Sequence, residues 1–195
     1  MIRVSIFSYI YTVNIFKKMV AKMKQSINAS LNEYAEKYDH YRVLTKENRF
    51  YAINDKVKTY CSIQIIKCST PTPTFEIAQS YFEWLNRASK SIIKTTFEKN
   101  TYKLYFRFFK KPLLSLTIIK NSETETTFAV SGGMLAKQNQ KGTFTFKKVT
   151  ESDKHYVIAL EKFEPSLPWL LYRLTQAPIH EFVMEKFQQE KGLTE

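Results

Sequence analysis

Arg173, Gln176 and His180 stand three and four residues apart, so a helix running through them carries all three along one side. A guanidinium there could grip a carboxylate or phosphate through two parallel hydrogen bonds. The imidazole, titrating near neutrality, could move a proton, and Tyr172 adds a hydroxyl beside them. The competing reading is a solvated helix side on which Arg173 pairs with an acid. Little else in the chain has the spacing of chemistry. There are four glycines, Gly132, Gly133, Gly142 and Gly192, which leaves no GxGxxG and no Walker loop. No serine sits in a GxSxG elbow, and neither cysteine has a histidine beside it in sequence. Two cysteines and three scattered histidines (His40, His155, His180) show no metal-ligand spacing. No cofactor and no metal are therefore expected. Cys61 and Cys68, separated by an odd number, fall on opposite faces of a shared strand and read as small, reduced packing residues.

The stretch that would position Arg173 and His180 runs from His155 to Gly192. HYVIALEKF is apolar at both parities, as a strand covered on both faces must be. Beyond it, Ser166 as N-cap, Pro168 in the first turn and Gly192 after Lys186 and Lys191 bound a helix of about 25 residues. Leu167, Leu170, Leu171, Leu174 and Pro178 form one stripe, and Ile179, Phe182, Val183 and Phe187 a second, displaced by roughly 130°. Pro178 predicts a kink between them, or a restart of the helix there.

Upstream, Arg49 to Asn54 reads as a short strand and Thr59 to Lys67 as the first secure one, with a short helix over Asn28 to Tyr38. Thr74 is placed as the cap of a helix with Ile77, Ala78, Tyr81, Phe82, Leu85, Ala88, Ile92 and Ile93 on its buried face, breakable near Ser89 or Ser91. From residue 101 the period becomes two. Five strands follow in short-linked succession, which predicts an antiparallel meander. Its inward positions include Phe106, Phe108, Phe128, Phe144, Phe146 and Tyr156. Gly132-Gly133 inside the strand pattern predicts a bulge or sharp bend.

The chain has 195 residues and a formal charge of +12. Its length predicts one domain over residues 25–195. Residues 1–24 hold Arg3, Lys17, Lys18, Lys22, Lys24 and no acid, so five of the twelve charges fall there. Three readings stand for that stretch: an extension preceding a start at Met19 or Met23, a segment lying on an anionic membrane surface or serving as a poor signal, and an ordinary docked segment. The second basic stretch, Arg87, Lys90, Lys94, Lys99, Lys103, Arg107, Lys110 and Lys111, is relieved only by Glu98 and interleaved with aromatic residues. Read as a site, it would bind nucleic acid or an anionic membrane; read as surface, it is a solvated face over buried aromatics, and the surface reading is preferred.

The order of strand, helix, five-strand meander and long C-terminal helix, over residues 48–191, resembles the helix-grip fold of the START-like superfamily, which includes polyketide cyclases and lipid-transfer domains. The run from Phe163 to Gln176 is similar to helix starts in uncharacterised bacterial members. The first helical region departs from the helix pair usual there. The resemblance implies an α+β fold whose curved antiparallel sheet wraps a long C-terminal helix. It also implies a hydrophobic small molecule or lipid held between them. The expected ligand-binding residues are Phe106, Phe108, Phe128, Phe144, Phe146, Tyr156, Tyr172, Arg173, Gln176 and His180. A basic module for nucleic acid or anionic membrane is the alternative, and a cyclase- or dehydratase-type enzyme in the same cavity a third. A cytoplasmic protein, membrane-associated through residues 1–24 on one reading, fits these expectations.

Overall fold

The computed structural model describes residues 58–150 and 152–168 continuously, the strand backbones at 42–46 and 49–54, and single positions at 29–30, 32–33, 37, 56, 182–183, 186–187 and 189. Among the described residues nine strands form one antiparallel sheet: β1 (Arg42–Lys46), β2 (Arg49–Asn54), β3 (Thr59–Lys67), β4 (Ile93–Glu98), β5 (Thr101–Phe106), β6 (Leu114–Asn121), β7 (Glu125–Gly132), β8 (Thr143–Lys148) and β9 (His155–Phe163). They lie in the order β1-β2-β3-β9-β8-β7-β6-β5-β4. The helix α1 (Thr74–Ala88) follows β3 and packs on β4, β7 and β8. The fold is thus α+β, as expected. The long C-terminal helix falls almost entirely outside the described residues; of its expected span Phe182, Val183, Lys186, Phe187 and Gln189 are helical, whereas Leu167 and Pro168 are not, and the Ser166 hydroxyl bonds the Met134 carbonyl instead of capping a first turn.

The strand Thr59–Lys67 lies where its alternation predicts, and β2 ends at Asn54, whose side-chain oxygen accepts the Lys56 N–H at 3.0 Å to make the turn. β1, which pairs with β2, carries no signal in the sequence reading. Of the short helix expected over Asn28 to Tyr38, Ala29, Ser30, Asn32, Glu33 and Lys37 are helical, and the rest lie outside the described residues.

Two features of α1 correct the expectation. Thr74 does not cap it: Pro73 is the N-cap residue and no side chain bonds the first turn. The Thr74 hydroxyl instead donates to the Ser122 carbonyl at 3.0 Å and lies 2.9 Å from the Thr126 hydroxyl, pinning the helix start to the β6–β7 turn. The helix also stops at Ala88, at the break allowed near Ser89, so Ile92 and Ile93 do not belong to its buried face. Lys90 and Ser91 have φ of 50° and 61°, a left-handed pair that turns the chain back, and the Ser89 hydroxyl accepts the Ile93 N–H at 3.0 Å. The β-branched run after it then forms a sixth meander strand, β4, closed onto β5 by a two-residue turn with Lys99 and Asn100 at φ 48° and 61°.

The adjacent strands β3 and β9 are buried on both faces. Tyr156, Ile158 and Leu160 of β9 face α1, while Val157, Ala159 and Glu161 are equally buried on the other side. Cys61, Ile63 and Ile65 join that outer layer from β3, and the Lys37 ammonium meets the Glu161 carboxylate there at 2.5 Å. Cys68, just past the strand, packs on the α1 side, away from Cys61. Between α1 and the sheet lies an aromatic cluster. Phe82 stacks on Tyr102 with centroids 4.0 Å apart, and Tyr81 meets Phe144, Phe146 and Phe187 at 5.6, 6.0 and 5.1 Å.

His155 opens β9 almost fully buried, its Nδ1 2.7 Å from the Ser152 hydroxyl. Burial, reinforced by the Lys67 charge, holds its pKa below the ordinary value. The fold therefore keeps the imidazole neutral where the unfolded chain would protonate it. Its contribution is full above about pH 6.5 and is lost as pH falls through the folded value. Melting temperature should drop between about pH 7 and pH 5 more in the parent than in a His155→Gln variant, and parallel curves would exclude His155 as a source.

Candidate functional site

A cavity of about 380 Å³ opens between α1 and the sheet. Tyr81, Phe82 and Leu85 of the helix form one wall; Leu104, Leu114, Leu116, Phe144, Leu160 and Phe163 of the strands form the other. Ile93, Leu113, Leu135 and Val183 close its ends. Of these thirteen side chains Tyr81 alone carries a polar group. Burial raises the Tyr81 phenol above its ordinary range, so it stays protonated at any physiological pH. Such a lining can desolvate an apolar group and offer it one neutral hydroxyl. Among the described residues it is supplied with no charged acid or base, and no cluster of metal-ligating side chains forms anywhere among them.

Backbone irregularities shape this cavity. In β9 the register slips between Leu160 and Phe163, where Lys162 takes a φ of 50°. The extra residue turns Phe163 to the same face as Leu160 despite their odd separation. In β7 the expected bulge is present: Ser115 pairs with Gly132 but Leu116 with Val130, so Ser131 is the extra residue. Gly133 then presses against the β5–β6 connection. A Cβ on it would stand 2.4 Å from the Leu113 carbonyl oxygen, at a φ of +117°. That approach lets the Leu135 N–H bond the Leu113 carbonyl at 2.9 Å, and both leucines reach the cavity.

The expected aromatic positions divide. Phe144 lines the cavity. Phe128 and Phe146 lie behind it, fully buried in the aromatic cluster. The Tyr156 hydroxyl accepts the Thr72 N–H at 2.8 Å and donates to the Asp153 carbonyl at 3.0 Å, which ties the β3–α1 connection to β9. Phe106 is half-buried at the far edge, and Phe108 points out to solvent. Tyr172, Arg173, Gln176 and His180 lie outside the described residues. Leu104, Leu113, Leu135 and Phe163 escaped the sequence reading. Leu104 is in phase with Phe106 and was legible; the others reach the cavity through turns and a bulge, which break the period that would reveal them.

A larger hollow of about 680 Å³ lies outside this core, with Lys94, Glu98, Arg107 and Phe109 in its walls. Its mixed, open lining does not desolvate a ligand as the inner cavity does.

No family model matches the chain. It is similar to the auxiliary protein GraX of Staphylococcus aureus, 24% identical over 114 residues, which cover 57% of this chain and 37% of that protein. The chain thus spans little more than a third of that relative's length. Among solved structures it is similar to the lipid transfer and protein localization domain of human StarD13, at 11% identity and a TM-score of 0.36, over 73% of this chain and 83% of that one. Among the described residues, no helix is long and apolar enough to cross a membrane.

Proposed function

We propose that the chain binds a hydrophobic small molecule or a lipid acyl group in the cavity between α1 and the sheet. The observation that carries this reading is the lining: among the described residues thirteen side chains, twelve of them wholly apolar, surround about 380 Å³. That volume lies within the span of about 300–1,000 Å³ of small-molecule sites, where apolar walls supply affinity and one or two polar groups orient the ligand. Tyr81 is one such group. Tyr172, Arg173, Gln176 and His180 are the candidates to supply others from the C-terminal segment.

Native mass spectrometry of protein purified from its own cells without detergent, then denatured, tests the reading. A single apolar molecule released on denaturation supports it, and an empty protein that also fails to take up an apolar probe overturns it. Leu104→Trp is expected to fill part of the cavity and weaken binding of the fluorescent probe N-phenyl-naphthylamine at least about tenfold, or ~1.4 kcal/mol. Unchanged probe affinity in that variant would place the ligand elsewhere.

A further inference from the structure

Four exposed apolar side chains gather at one end of the sheet. Phe108 and Phe109, 77% and 52% exposed, sit on the turn between β5 and β6. Ile92 and Met134, 45% and 43% exposed, are tied to the same turn. The Arg107 N–H bonds the Ile92 carbonyl at 2.8 Å, and the Met134 N–H bonds the Pro112 carbonyl at 2.9 Å. The turn is closed on itself by the Phe109 N–H to the Phe106 carbonyl, also at 2.8 Å. The Phe106 ring meets those of Phe108 and Phe109 at 5.7 and 5.4 Å. This is a shaped apolar tip.

Cations surround it. Arg107, Lys110 and Lys111 belong to the turn itself, and Lys94 lines the adjoining hollow together with Arg107, Phe106, Phe109 and one acid, Glu98. Among the described residues none of these four cations is held in an ion pair. No acidic residue occurs from Lys99 through Ser122. Aromatic side chains projecting beyond a ring of cations complement a surface that is apolar within and anionic at its boundary. We propose that the β5–β6 turn docks the protein on a bilayer containing anionic phospholipid. Phe108 and Phe109 enter the acyl boundary while Arg107, Lys110 and Lys111 rest on headgroup phosphates.

Single-stranded nucleic acid is the other polyanion these residues could meet. Stacking successive bases needs rings lying open along a basic groove. Here the rings project and lean on one another, which suits insertion better. The tip also adjoins the inner cavity: Leu113 and Leu114 follow it directly, and both line that cavity with Ile93. Docking would bring the end of the cavity to the membrane. It does not depend on the cavity being filled, because Phe108 and Phe109 form no part of its lining.

The test uses the full chain in co-sedimentation with vesicles of phosphatidylcholine alone and of phosphatidylcholine mixed with phosphatidylglycerol. Binding is expected on the mixed vesicles and much weaker on the neutral ones. The pair Phe108→Ser and Phe109→Ser is expected to lower affinity for mixed vesicles at least about tenfold, and Lys110→Glu with Lys111→Glu to do the same, each cation contributing roughly fivefold at an anionic surface. Both phenylalanines are exposed, so their replacement leaves the core intact. A Phe108→Trp variant should add a component of emission that shifts to the blue on mixed vesicles, relative to the parent. Equal vesicle binding by the Phe108/Phe109 variant would overturn the proposal, as would an added emission component that stays unshifted in the Phe108→Trp variant. So would failure to bind mixed vesicles together with retention of a single-stranded oligonucleotide that the Phe108/Phe109 variant loses.

Discussion

Truncating Phe82 to alanine is expected to lower the stability of the fold by about 3–5 kcal/mol. The ring is fully buried against Tyr102, and also meets Phe128 and Phe144 edge-on at 5.8 and 6.4 Å. Its removal forfeits the transfer energy of a phenyl group and merges the vacated space with a cavity that already lies beside it. The neighbours cannot collapse inward: Tyr102 and Phe128 are fixed by strand pairing and Tyr81 by its contacts with Phe144, Phe146 and Phe187. A domain typically has about 5–15 kcal/mol in total, so the change removes at least about a fifth of it. Urea denaturation of parent and variant gives the difference. A loss below about 1 kcal/mol would mean that α1 is not seated on the sheet through this ring.

Gly133→Ala is expected to cost about 2–4 kcal/mol, though it adds only a methyl group. The added carbon would sit 2.4 Å from one backbone atom and 2.6 Å from another, and backbone cannot swing aside as a side-chain end can. Its φ of +117° is closed to side chains on separate grounds. Gly132→Ala is the control, because no atom lies within 4 Å of its missing Cβ although its φ is also positive. If the two variants melt alike, strain in φ and not the close approach sets the cost. If Gly133→Ala melts well below Gly132→Ala, the contact with Leu113 is what the glycine serves, and probe binding in the adjoining cavity should fall with it.

The strands that alternate cleanly were legible in the sequence, and β3 and β9 have the limits their alternation implies. The continuously apolar β9 also announced that both sides of the sheet would be covered. What misled was local. Ile92 and Ile93 continue the α1 stripe by spacing, but the left-handed pair Lys90 and Ser91 ends the helix first, and non-glycine residues in that conformation carry no reliable signature. Thr74 looks like a cap because threonine is a good one, and its hydroxyl is drawn instead to Thr126, 52 residues away. The cavity was legible only as an aromatic, inward-facing surplus. Which aromatics touch open space and which pack solid depends on bulges at Ser131 and Lys162, and a bulge inverts the parity on which such predictions rest.

The seam between β3 and β9 has a consequence in time. β9 is the last strand, yet it sits fourth in the sheet, joining the three strands before α1 to the five before itself. Lys67 and His155, paired across that seam, are about 90 residues apart along the chain, and closing such a loop comes before any of the contacts it allows. During synthesis β1 to β3 therefore wait, with the buried face of β3 open, until β9 has left the ribosome. Truncation before His155 removes the strand that unites two half-sheets. Such a fragment exposes the edges of β3 and β8 together, and aggregation is its expected fate.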